Sequence, residues 1–220
     1  MDIMQAIEAR HSVRSYSDKE IDEDTRKQLL RKIDDLNKES GLHIQLISNE
    51  PKAFDGFMAH YGKFSGVKNY IAVIGRKSDD LQEKAGYYGE QLVLYAQTLG
   101  LNSCWVAMTY KKVKSAYKVD AGEKLAIVIA LGYGNTQGVA HTSKKASEVS
   151  QADSEADWFK KGVETALLAP TAMNQQKFTF IKKGNKVEAQ PGSGFYTKID
   201  LGIVKYHFEV GAGKDNFEWA

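Results

Sequence analysis

Residues 87–108 read YYGEQLVLYAQTLGLNSCWVAM. Leu92, Tyr95, Ala96 and Leu99 share one face of a 3.6-residue period, with Tyr88 a turn earlier. The spacing predicts a helix over 82–99 that stops at Gly100. SCWVAM then continues as a half-buried strand. On either side lie the apolar runs NYIAVIG (69–75) and KLAIVIALGYG (124–134), both read as strands, the first a buried one. A lysine-rich helix is expected between the strands, at 110–118.

Upstream, Met4, Ala6 and Ile7 mark a short amphipathic turn ending near Arg10-His11. Leu29, Leu30, Ile33 and Leu36 recur at helical spacing within a helix expected over 22–36. Gly41 fits its C-terminal cap, and LHIQLIS (42–48) alternates as a strand does. Residues 51–66 read as irregular helix and loop. Downstream, the chain turns polar over 135–154, which suits a connection between two lobes. DWFKKGVETALLAP (157–170) predicts a helix, KFTFIKKGNKVEA (177–189) a hairpin with a Gly-Asn turn, and 199–210 a last helix with Leu201, Val204 and Phe208 on one side. Helix followed by strand occurs at 22–47 and again at 155–182, though not as a repeat of fixed period. The pattern is α+β, since the strands are too few and too scattered for an orderly βαβ array.

Composition narrows the classes. A chain of 220 residues suits one large domain or two compact lobes and needs no disulfide or metal staple. Its single cysteine, Cys104, excludes an internal disulfide framework and points to a reducing compartment. No apolar run approaches a membrane span, and MDIMQAIEAR does not read as a signal peptide, so a cytoplasmic location is expected. Thirty basic against 28 acidic residues leave +2, which indicates neither nucleic acid nor membrane as partner. His43, His60 and His207 are dispersed, so no metal is expected. No P-loop, H-E-x-x-H or G-x-G-x-x-G is present, and LGYGNTQG (131–138) fails the dinucleotide spacing.

Four constellations remain. Arg10, Ser12 and Arg14 alternate, so an extended segment would present two cations and a hydroxyl to a phosphate; a solvated surface explains the same residues. In APTAMNQQ (169–176), Pro170 stops a helix and Thr171 resembles an N-cap with free N–H groups after it. Asn174 and Gln176 there could pair with a heterocycle of alternating C=O and N–H groups, or could be surface amides. Over 100–108 a backbone N–H could face a ligand, while Cys104 reads as a buried structural thiol rather than a nucleophile. Lys144 and Lys145 could close over a phosphate or form a solvated basic loop.

Taken in order, these segments resemble the nitroreductase family of flavin-dependent oxidoreductases. AIEARHSVRSYSDKEID (6–22) is similar to the family opening, an Arg-(Arg/His)-Ser-x-(Arg/Lys) segment on the FMN phosphate and ring edge. Residues 87–108 resemble the central helix ending in Gly-Leu, and LAIVIALGYG with its basic loop resembles the late strand. APTAMNQQKFTF resembles Pro-Ser-x-x-Asn-x-Gln-Pro-Trp, with Thr171 for Ser, Lys177 for Pro and Phe178 for Trp. That motif usually follows the first long helix. Here it arrives at 170, as in a rearranged branch, and Ala107 and Met108 replace the acidic or glycine residues common beside the flavin.

The resemblance implies a nitroreductase-like α+β fold with a mostly antiparallel central sheet flanked by helices, in two lobes: a main lobe over 1–150 and a C-terminal lobe over 151–220 that completes the flavin pocket. It implies FMN as cofactor, with Arg10, Ser12 and Lys144 or Lys145 on the phosphate, His11 at the ribityl–ring region and Arg14 near the N1/O2 edge. A backbone N–H near Ala107 or Met108 would meet N5, and Pro170, Thr171, Ala172, Asn174 and Gln176 would complete the pocket. NAD(P)H would then reduce the flavin and a small-molecule acceptor, a nitro compound or quinone, would reoxidise it in ping-pong fashion. The cofactor carries the hard chemistry, so no catalytic side chain is assigned. A homodimer is also implied. Two alternatives stand: a flavin-binding or redox-sensing protein without fast turnover, and a flavin-free interaction domain.

Overall fold

The structure is a computed structural model describing residues 1–220. The N-terminal half carries α1 (Ile3–Ala9), α2 (Glu23–Ser40), β1 (Gln45–Ile47), α3 (Phe57–Tyr61), β2 (Asn69–Arg76), α4 (Leu81–Thr98), β3 (Asn102–Val106) and β4 (Glu123–Gly132). There follow α5 (Ala146–Val149), β5 (Ser150–Ala152), α6 (Asp157–Ala166), β6 (Phe178–Lys183), β7 (Lys186–Pro191), α7 (Thr197–Ala212) and β8 (Glu218–Trp219). No helix is long and apolar enough to cross a membrane. The chain forms two compact units. One comprises 9–81 and 92–139; the other comprises 1–8, 82–91 and 140–220.

In the first unit the strands run β1-β2-β4-β3, every neighbour antiparallel. Tyr70, Ala72, Ile74, Val128 and Ala130 point into one core with Val13, Phe54, Phe64 and Cys104. The alternate residues Ile71, Val73, Ile127 and Ile129 are buried too, so the middles of β2 and β4 are unbroken apolar runs, as strands buried on both faces are. Helix α2 begins where Asp22 accepts from the Thr25 N–H and hydroxyl, at 2.9 and 2.7 Å. Those bonds hold the Asp22 carboxyl below its usual range. The helix ends at Gly41, whose φ of 70° lets its N–H return to the Asn37 carbonyl.

The expected helix at 110–118 does not form. Its backbone is satisfied by distant partners instead: Lys111 N–H donates to the Ala53 carbonyl, and Gln45 bridges both the N–H and the C=O of Lys118. Tyr110 is buried in the core, and among Lys111, Lys112 and Lys114 the residues Val113, Ala116 and Tyr117 pack against it, so tertiary bonds outweigh local helix propensity.

The second unit has the sheet order β5-β6-β7-β8, antiparallel only between β6 and β7. The predicted hairpin is that central pair. Its core is aromatic: the Phe208 ring lies 4.5 Å from Phe180, 5.1 Å from Phe217 and 5.6 Å from Trp219. Such pairs add about 0.5–1.5 kcal/mol each beyond their buried area. The 82–91 part of α4 crosses α7 at two glycines. A Cβ on Gly202 would overlap the Glu83 carbonyl oxygen, and a Cβ on Gly86 would overlap that of Ile199. Near this crossing His207 Nε2 meets the Glu90 carboxylate at 2.9 Å, and both side chains are wholly buried.

Candidate functional site

In the first unit the segment 10–14 lies against β3. Ser12 bridges Ser103 in parallel, and the Val13 N–H donates to the Ser103 carbonyl at 3.0 Å. This extended conformation buries Val13, with Arg10 buried, Ser12 half-buried and Arg14 exposed. All three act on one atom. Burial pushes the Cys104 thiol up, against the opposing pull of Arg14, a hydrogen bond from Ser12 and the charge of Arg10. Arg10 is itself buried, whereas Arg14 reaches solvent with its guanidinium 5.9 Å from the centre of the Phe64 ring. His11 and Ser12 are half-buried. A Cβ on Gly138 would come within 2.8 Å of the His11 Cβ, so the 134–138 loop lies close over this segment. Ala107 and Met108 follow directly from β3, and Met108 is exposed.

In the second unit the 141–145 loop and the 170–176 motif are joined. Asn174 Nδ2 and Gln176 Nε2 both donate to the Thr142 carbonyl at 2.9 Å. The Lys144 N–H donates to Gln176 Oε1 at 2.8 Å and its ammonium to the Gln176 carbonyl at 2.9 Å. Lys145 is exposed at the start of α5, its N–H on the Glu148 carboxylate. Pro170 lies past the end of α6. Thr171 is the N-cap residue of a 3-10 turn over Ala172–Asn174, but its hydroxyl accepts from the Gln176 N–H at 3.0 Å. The Ala172 N–H expected to be free donates to Asp200 Oδ1 at 3.0 Å. Gln176 is buried, and its amide is spent on the loop. Met173, Asn174 and Gln176 have φ of 50°, 54° and 45°. Three left-handed non-glycine residues in one short loop mark a conformation imposed by its surroundings.

Sequence reading missed Asp200. Its signal was a lone acid in the apolar run IDLGIV (199–204). It also missed a cluster that only folding assembles: His43, Asp120 and Glu123 place one ligand atom each within 4.8 Å of one another. His43 Nδ1 lies 2.9 Å from Glu123, and Asp120 pairs with Lys118 at 2.8 Å, so the cluster is held by its own hydrogen bond and ion pair at the start of β4. Two open clefts, of about 560 Å³ beside α6 and about 650 Å³ beside the start of α2, contain none of the expected site residues.

The first segment carries two cations and a hydroxyl, and the second, within its own unit, is an amide-rich loop held by its own hydrogen bonds. The family model described as "Putative TM nitroreductase" matches residues 2–212. A solved "putative nitroreductase" from Thermotoga maritima is 23% identical over 98% of this chain and 85% of its own, with a TM-score of 0.63. One described in the same words from Desulfovibrio desulfuricans, in complex with FMN, is 18% identical over 68% and 95%, with a TM-score of 0.50. A "Putative NADH dehydrogenase/NAD(P)H nitroreductase" from Parabacteroides distasonis is 19% identical over 66% and 96%, with a TM-score of 0.51. At these identities each shares the fold. No curated protein matches the chain. The match across 2–212 and the fold it specifies, an α+β arrangement with an antiparallel sheet flanked by helices, make this chain a member of the nitroreductase family.

Proposed function

We propose that the protein is an FMN-dependent oxidoreductase that takes electrons from NAD(P)H and passes them to a small organic acceptor. The observation that carries this reading is the 10–14 segment on β3, where Arg10, Ser12 and Arg14 all lie near enough to Cys104 to act on its thiol. The FMN bound by the Desulfovibrio relative and the NAD(P)H in the description of the Parabacteroides relative support it. FMN, when bound, supplies the hydride and electron chemistry, so the chain itself must bind, orient and tune. Arg10 and Ser12 would hold the phosphate, with Lys144 or Lys145 as a further cation. His11, Ala107 and Met108 would lie along the ring, and residues 170–176 would fix its position. Arg14 would set a positive charge at the N1/O2 edge, favouring negative charge there after reduction. A pair of chains is the assembly proposed with it.

The visible spectrum of the purified protein, and identification of any chromophore released by heat, tests the cofactor. Apo protein would be titrated with FMN. NAD(P)H oxidation with nitroaromatic and quinone acceptors then separates turnover from mere flavin binding. Arg14→Ala is expected to weaken FMN binding about tenfold, or about 1.4 kcal/mol. It should also make the bound flavin about 30 mV more negative, the same energy on a two-electron scale. Unchanged affinity and potential in that variant would remove the assigned role of Arg14.

A further inference from the structure

Asp200 lies in the first turn of α7 with only 3% of its surface exposed. Its two oxygens are both directed at the 171–176 loop: Oδ1 accepts from the Ala172 N–H at 3.0 Å, and Oδ2 from Gln175 Nε2 at 2.7 Å. The same Gln175 amide donates to the Phe195 carbonyl at 2.8 Å. The loop is thus clamped on one side by Asp200 and on the other by Thr142 and Lys144. Between the clamps stand the left-handed Met173 and Asn174, the former 85% exposed. Helix α7 is in turn fixed by the Gly202 crossing two residues on, so Asp200 cannot drift with the loop. Burial pushes its carboxyl up to about 6 against the pull of those two hydrogen bonds. A buried charge and a strained loop in direct contact are both costly, and such costs gather where a site must be pre-organised.

We propose that Asp200 is a positioning residue: its carboxylate holds the 171–176 loop in the strained conformation that receives FMN, a role that rests on the flavin reading above. Protonation exchanges one acceptor for a donor, so one of the two loop bonds is lost. Asparagine has the same defect at every pH, because its NH₂ faces a donor. The other ionisable groups around the turn hold partners of their own or are exposed. From α4, Glu83 pairs with Lys205 of α7 at 2.7 Å and Tyr87 donates to Glu209 at 2.6 Å. From the loops, Lys144 donates to the Gln176 carbonyl, while Lys177 and, on α7 itself, Lys198 are exposed.

The test is FMN titration of the wild-type chain and Asp200→Asn between pH 5 and 7.5, with amide exchange at Ala172 read on the same samples. Wild-type affinity should fall about tenfold from pH 7.5 to 5, the worth of one charge-assisted bond. Asp200→Asn should already be about tenfold weaker at pH 7.5, flat with pH, and faster to exchange at Ala172. Gln175→Leu removes the Oδ2 bond, and with it the bond to the Phe195 carbonyl, without altering α7, and should be about as weak as Asp200→Asn at pH 7.5. FMN bound alike by all three chains, with the same pH profile, overturns the positioning role alone. Wild-type protein that takes up no FMN at any pH overturns the flavin reading and this role together.

Discussion

Gly202→Ala is expected to lose on the order of 4 kcal/mol of stability, among the largest effects of any single methyl group in this chain. The added Cβ overlaps the Glu83 carbonyl oxygen and comes within 2.6 Å of the Tyr87 backbone nitrogen. Both are backbone atoms of α4, so neither can turn aside as a side chain would. Relief requires the helices to part, which also strains the buried His207–Glu90 contact and the aromatic cluster around Phe208. For a chain of this length the melting temperature should fall by roughly 10 °C. Gly56→Ala is the control, since nothing lies within 4 Å of a Cβ there, and it should stay within about 0.5 kcal/mol of wild type. Thermal melts of the two variants side by side decide the matter. Equal melting would mean the helices do not cross this closely.

Asp200 is expected to cost the fold on the order of 3 kcal/mol at neutral pH, seen as a stability difference between wild type and Asp200→Asn that grows from pH 4 to pH 7. Its carboxyl is raised from 3.8 to about 6, chiefly by burial. Between those values the folded chain binds more protons than the unfolded one, so stability falls as pH rises. A shift of about two units is worth about 3 kcal/mol. Asparagine carries no charge and should flatten the profile. Asp153 has the opposite sign in another window: hydrogen bonds from Lys182 and the Gly184 N–H hold its carboxyl at about 2, so its contribution is present above 3.8 and lost only as pH falls toward 2. Urea unfolding at pH 4.5, 6 and 7.5 separates the two. At pH 7.5 the Asn variant should be the more stable chain and the poorer FMN binder, a combination that a merely structural anchor cannot produce. Parallel stability profiles for the two chains would sink the linkage.

Elements that rest on local periodicity were legible in the sequence. The long helix in 82–99 and the runs 69–75 and 124–134 announce themselves, because a period of 3.6 or an unbroken apolar stretch survives whatever surrounds it. Asp22 and Gly41 bound α2 through bonds to residues three or four positions away. The lysine-rich stretch 110–118 misled for the complementary reason: its backbone partners, Ala53 and Gln45, lie more than fifty residues away. No local pattern encodes that distance.

The site divides along the same line. Alternation alone singled out Arg10, Ser12 and Arg14, and residue order alone pointed to the family, since both are properties of the chain read in one dimension. That β3 would be the surface they lie on, that Thr142 and Asp200 would grip the 171–176 loop from two sides, and that Gln176 would spend its amide inward were decided by tertiary structure. Those bonds join residues 25 positions apart or more, and a buried carboxylate acquires its function only when folding removes water from around it and leaves two N–H groups of another segment as its partners.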